Sequence, residues 1–123
     1  MEAKTAAERL AALGHETRLA VFRMLVEAGP SGVSAGQIAE RLDIPLPTLS
    51  FHLAHLSRVG LIEGRQESRY IFYAADYAAM NALLSYLMAN CCRGLAAMSG
   101  TAPAAKRRKP RRSAATARES RIK

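Results

Sequence analysis

Cysteine is nearly absent from the 123 residues, and the only two, Cys91 and Cys92, are neighbours. That excludes a disulfide-stapled fold, because adjacent cysteines close a strained ring far from the separation that paired thiols favour. Both are expected to be reduced thiols. Aromatic residues make up only 6%. No apolar run approaches the ~18 residues a membrane span needs, and the opening MEAKTAAERL lacks the apolar stretch of a signal peptide. The expectation is a cytoplasmic protein with no membrane partner. Internal repeats are missing too, as are a glycine-rich loop to cradle phosphate and any acid or base beside the thiols, so the chain does not read as an enzyme.

What is present is a composition of 50% hydrophobic residues, led by Ala and Leu, with 23% charged. This balance fits a small, soluble, mostly helical domain. The net charge of +8 is unevenly placed. Up to Gly100 the lysines and arginines are matched one for one by acids. All the excess lies in TAPAAKRRKPRRSAATARESRIK, where Glu119 is the sole acid. Without apolar periodicity and with two prolines, residues 101–123 are expected to be a disordered basic tail behind a folded domain of residues 1–100.

Within that domain, AERLAALG and HETRLAVFRMLVEAGP carry Leu10, Leu13, Leu19, Phe22 and Val26 at helical spacing, with Gly29-Pro30 as a stop. SAGQIAERLD makes a short third helix with Ser34 as its N-cap. PLPTLSFHLAHLSRVG makes a fourth that stops at Gly60. LIEGRQESRYIFYAA then changes to the period of strands, two arms around a polar tip. A fifth helix runs from about Asp76 to Arg93, with Met80, Leu83, Leu84, Leu87, Met88 and Cys91 on one side. The expected fold class is mainly α with a β-hairpin wing, a winged helix-turn-helix.

Such a fold places one helix in the major groove of DNA. On the fourth helix Leu49, Leu53 and Leu56 form the inward stripe. Phe51, His55 and Arg58 occupy the opposite face, Thr48 the N-terminal end, and Ser50 and His52 the shoulders. Hydroxyls bond to several base edges and Phe51 suits a thymine methyl. No Arg or Lys stands near the helix start, so the bidentate guanine contact is missing and DNA shape carries more of the discrimination. Arg65 and Arg69 flank the hairpin tip and suit phosphates. A solvated face is the plainer reading of the same residues, and a hydrogen-bonded structural role the plainer one for His52.

The segments LAALGHETRLAVFRML, SAGQIAERLDIPLPTLSFHLAHLSRVGLI and SRYIFYAAD together resemble the ArsR/SmtB bacterial repressors over about Ala6 to Arg93. The resemblance implies a winged-helix homodimer on double-stranded operator DNA, an imperfect inverted repeat, that blocks transcription until an inducer binds. It also implies that Thr48, Ser50, Phe51 and His52 belong to the recognition helix and Arg65 and Arg69 to the wing. Pro45 departs from the family, which often has a capping Ser there. The apolar excess of the first and fifth helices suits an isologous contact, with a monomer core as the alternative.

Other ion sites of the family are missing: VSAGQIAE has no cysteine and DYAAMNALLSYLMANC no histidine. What remains is similarity to arsenic-responsive members that end the last helix in NCC. It implies Cys91 and Cys92 as ligands of trivalent arsenic, as arsenite or methylarsenite, or of antimonite, with no permanently bound cofactor. Thiolates favour such soft ions, and Arg93 is expected to lower a thiol pKa. Those members usually carry a third cysteine. Here the following residues offer only the thioether of Met98, and two thiolates fit a methylated arsenical better than arsenite. Alternatives are a buried hydrophobic Cys91, or a persulfide or peroxide sensor. For KRRKPRR a DNA-binding arm stands beside a solvated tail. A thiol enzyme and a nucleoid-type DNA binder are the rival classes to a repressor.

Overall fold

A computed structural model describes residues 1–94, of which Met1–Leu87 form one compact unit. The basic tail and the boundary expected near Gly100 lie outside the described residues. The elements are α1 (Ala3–Leu13), α2 (Glu16–Ala28), β1 (Val33–Ser34), α3 (Ala35–Leu42), α4 (Leu46–Arg58), β2 (Ile62–Glu67), β3 (Tyr70–Ala75) and α5 (Tyr77–Met88). The helix-turn-helix and the hairpin stand where the residue periods place them, and the fold is a winged helix. No described helix is long and apolar enough to cross a membrane.

Local chemistry sets the boundaries. His15 caps α2 through Nδ1, which accepts from the Thr17 N–H at 3.2 Å. Ser34 and Gln37 form a reciprocal capping box on α3: the Ser34 hydroxyl accepts from the Gln37 N–H, and the Gln37 side chain accepts from the Ser34 N–H. Two otherwise orphaned donors are thereby satisfied. α3 stops at Asp43 in the left-handed region. α4 starts at Pro45 with no side-chain cap, as the missing Ser implies, and Pro47 occupies its first turn. Its inward stripe of Leu49, Leu53 and Leu56 is buried together with Val21, Leu25, Ile38 and Leu61, so the helix-turn-helix is built around its own core.

Two elements differ from the sequence reading. A two-residue strand, β1, adds to the hairpin to give a sheet of order β1-β3-β2, all antiparallel, with Val33 opposite Tyr73 and Ser34 opposite Phe72. Gly32 delivers the chain to it at φ +85°, where a Cβ would stand 2.7 Å from the Tyr73 carbonyl oxygen. The second difference is that α5 ends at Met88, not near Arg93. Asn90 and Cys92 both have left-handed backbones, φ 62° and 68°, which an α-helix excludes.

α5 is anchored at its start. Asp76 Oδ1 accepts from the Ala79 N–H at 3.0 Å, and the Tyr77 hydroxyl donates to the Val26 carbonyl at 3.0 Å. Beyond that, only Ala79 and Leu83 are buried. Leu84 and Leu87 are 51% and 53% exposed, and Leu10 on α1 is exposed as well.

Candidate nucleic-acid interface and thiol pair

α4 presents Thr48, Ser50 and Phe51 to solvent, and Phe51 is 68% exposed, an unusual position for so large an apolar ring. His55 is half-buried beside them. Burial, then the charges of Arg18 and Arg58, lower its pKa, so His55 is mainly neutral at physiological pH.

His52 is corrected by the structure. It does not stand on a shoulder open to DNA but is 7% exposed, turned into the body. Arg18 Nη1 lies 3.3 Å from its Nδ1, and the His15 ring lies 4.8 Å away, centroid to centroid. A guanidinium has only donors, so Nδ1 accepts and the imidazole proton sits on Nε2. Burial first, then His15, Arg18 and His55, hold its pKa below the ordinary histidine value. His52 therefore faces Arg18 and His15 inside the protomer, as in the plainer, hydrogen-bonded structural reading of this residue.

Arginines of the preceding helices complete the arrangement, and the sequence reading missed both. Arg18 Nε donates to the Ala12 carbonyl at 2.7 Å, tying α2 to α1. Arg9 Nε donates to the Val59 carbonyl at 2.8 Å, at the C-terminal end of α4, where a cation complements the helix dipole. A signal existed for Arg18: it precedes Phe22 and Leu25 by four and seven positions, a core-facing register for a charged residue.

In the wing the two arginines separate. Arg65 Nη2 donates to the Ser31 carbonyl at 2.9 Å, its Nε pairs with Glu67, and its guanidinium lies 6.0 Å from the centre of the Phe72 ring. Arg65 thus braces the wing against the loop before β1. Arg69 sits at the hairpin turn beside Ser68, exposed and with no ion-pair partner among the described residues.

Cys91 and Cys92 are both exposed and free, with their sulfurs 3.2 Å apart. That exceeds a disulfide bond of about 2.05 Å yet lets one atom bond both. The left-handed backbone of Cys92 accompanies this convergence. The expected effect of Arg93 is not found. Its Nη1 donates to Asn90 Oδ1, and the Cys91 pKa is raised, first by the hydrogen bond with Cys92 and then by that neighbour's charge. No group of three or more His, Cys, Asp or Glu side chains that could hold a metal ion occurs among the described residues.

Residues 13–65 match a family model described as a helix-turn-helix domain. Over 84 residues the chain is 32% identical to the transcriptional activator HlyU of Vibrio cholerae, covering 68% of this chain and 75% of that one. Among solved structures, an ArsR-like transcriptional regulator from Rhodococcus sp. RHA1 is 30% identical with a TM-score of 0.63, covering 76% and 88% of the two chains. The transcriptional repressor BigR from Xylella fastidiosa is 33% identical with a TM-score of 0.58, covering 73% and 89%. A homodimeric winged helix-turn-helix DNA-binding domain from Mycobacterium bovis is 26% identical with a TM-score of 0.56, covering 72% and 82%.

Proposed function

The chain belongs to the ArsR family of winged-helix transcriptional regulators, and from that membership we propose a homodimeric repressor that leaves its operator when trivalent arsenic joins Cys91 to Cys92. One observation carries the inducer: two exposed thiols, 3.2 Å apart, just beyond a helix whose apolar face is left open. The operator is an imperfect inverted repeat, because a two-fold dimer presents α4 twice. Thr48, Ser50, Phe51 and His55 face the bases, and Arg69 takes a wing phosphate. The block KRRKPRR adds salt-sensitive contacts outside the repeat. Repression accords with the name of the Xylella structure, while the Vibrio relative is named an activator.

The chemistry favours a methylated arsenical. Methylarsenite carries one methyl and two hydroxides on arsenic. Each thiol proton leaves with one hydroxide as water, and two As–S bonds replace two As–O bonds. Arsenite and antimonite keep a third hydroxide, which a small thiol from solution replaces. Bridging the sulfurs restrains the turn that follows α5 and biases the dimer that α5 builds. A hundredfold loss of operator affinity needs a coupling of only about 2.7 kcal/mol.

Operator release followed by fluorescence anisotropy tests the reading, with methylarsenite, arsenite, antimonite and a persulfide as titrants. Methylarsenite is expected to release the wild type at the lowest concentration, and Cys91→Ser and Cys92→Ser are expected to bind DNA without responding. Serine variants that respond like the wild type overturn the thiol site. Release by persulfide alone replaces arsenic with an oxidised-sulfur signal. Transcription in vitro from an operator-bearing promoter separates repression from activation.

A further inference from the structure

His52 is the one buried polar or charged side chain among the described residues. It lies where α1, α2 and α4 meet: Arg18 of α2 is pinned by Nε to the Ala12 carbonyl of α1 and turns Nη1 to His52 of α4. His15, whose Nδ1 caps α2, packs its ring against the same imidazole. A buried polar group of this kind holds its neighbours in place only while its hydrogen bonds are made. We infer that Arg18, His15 and His52 are positioning residues that hold the recognition helix only while His52 is neutral, so that mild acid weakens operator binding. The inference rests on the reading of α4 as the DNA-contacting helix.

Protonation would remove the lone pair that faces Arg18. Two donors and two like charges would then oppose each other across 3.3 Å. The charged or titratable groups acting on His52 are His15 and Arg18 from α2 and its cap, and His55 from α4 itself. No carboxylate is among them. From α1 the near group is the Ala12 carbonyl, already taken by Arg18 Nε, while Arg9 is engaged at the other end of α4 with Val59. From α3 and β2 no charged group acts on it. An added proton thus has no counter-ion, and relief comes by moving α4 away from α2.

The sign is opposite to ordinary protein–DNA electrostatics. A polyanion favours protonated histidines, so acid normally tightens binding. Here the folded chain holds the His52 pKa below 6.5, its ordinary value, so the ordered state is fully favoured above that pH and loses ground as pH falls beneath it.

The test is operator affinity of the full chain at pH 7.5 and 5.5, at constant ionic strength. One coupled proton gives at most tenfold per pH unit, and a weakening of roughly fivefold across this interval is expected for the wild type. His52→Asn keeps an acceptor near the Nδ1 position but cannot be protonated. Its ratio between the two pH values should be one or less, whatever its absolute affinity. His15→Asn keeps a capping acceptor and removes a neighbouring charge that opposes protonation of His52, so the loss between the two pH values should be smaller than in the wild type. Should His52→Asn fail to fold, the His52 imidazole resonance of the wild type is titrated by NMR and must shift across the pH interval in which affinity falls. The inference is overturned if acid tightens wild-type binding, if His52→Asn weakens as the wild type does, or if the imidazole does not titrate in that interval. A chain that binds no operator at pH 7.5 overturns both this inference and the assignment of α4.

Discussion

Leu84→Ala combined with Leu87→Ala should split the proposed dimer without unfolding the protomer. Each leucine leaves about half of its surface open, 51% and 53%. Full burial of a leucine is worth about 2–3 kcal/mol. Covering the remaining half contributes about 1 kcal/mol per side chain, and a two-fold interface holds each residue twice. The total is about 4 kcal/mol, of which alanine retains a fraction, so the dimer constant should weaken by two to three orders of magnitude. Next to this face runs an apolar groove of about 340 Å³ lined by Leu13, Leu19, Phe22, Val26, Met80 and Leu84, which extends the surface a second copy can cover. Sedimentation equilibrium reads the constant directly, and a thermal melt of the variant checks the protomer. The operator complex should weaken in parallel, since a lone winged helix reads only one half-site. A dimer constant that moves less than tenfold refutes the reasoning and assigns the open face of α5 to something other than a second copy.

Ser34→Ala removes one arm of the α3 capping box and should cost about 1 kcal/mol, read as a fall in Tm of roughly 4–8 °C. The variant should lose operator affinity less than stability, because Ser34 precedes the helix-turn-helix rather than the DNA face. Arg69→Ala should reduce the slope of log affinity against log salt by about 1. Arg65→Ala, which frees Ser31 and Glu67, should show instead as faster hydrogen exchange in β2 and β3. The raised Cys91 pKa keeps that thiol protonated near neutral pH, and the attacking species is the thiolate, so the rate of methylarsenite capture should rise as pH goes from 6.5 to 8.5; a rate that stays constant over that interval refutes attack by the thiols.

The core of the fold was legible because its residues repeat. Leu49, Leu53 and Leu56 mark one face of α4, and LIEGRQESRYIFYAA changes period where the hairpin begins. β1 was not legible, since two residues carry no period and its existence depends on Gly32 passing beneath the Tyr73 carbonyl. The end of α5 failed for a related reason. Ala89 and the cysteines do not forbid a helix, and only the left-handed turns at Asn90 and Cys92 end it at Met88. Asn was the available signal, because its short side chain tolerates that conformation better than most.

His52 shows where one-dimensional reading stops. Its position, three after Leu49 and four before Leu56, lies at the edge of the inward stripe of α4, and a helical wheel alone puts it on a shoulder. A lone buried imidazole is costly, so whether a residue at that edge turns inward depends on a partner that the wheel does not contain. That partner is Arg18, thirty-four residues earlier, occupying a core-facing register of α2 that is equally hard to justify alone. Each residue is an exception to the hydrophobic pattern of its own helix, and the two exceptions satisfy each other. The polar link between the first half of the domain and α4 is therefore specified by a pair of apparent violations. A charged residue and a histidine at inward positions of two different helices are the mark to look for when such a link is sought in sequence.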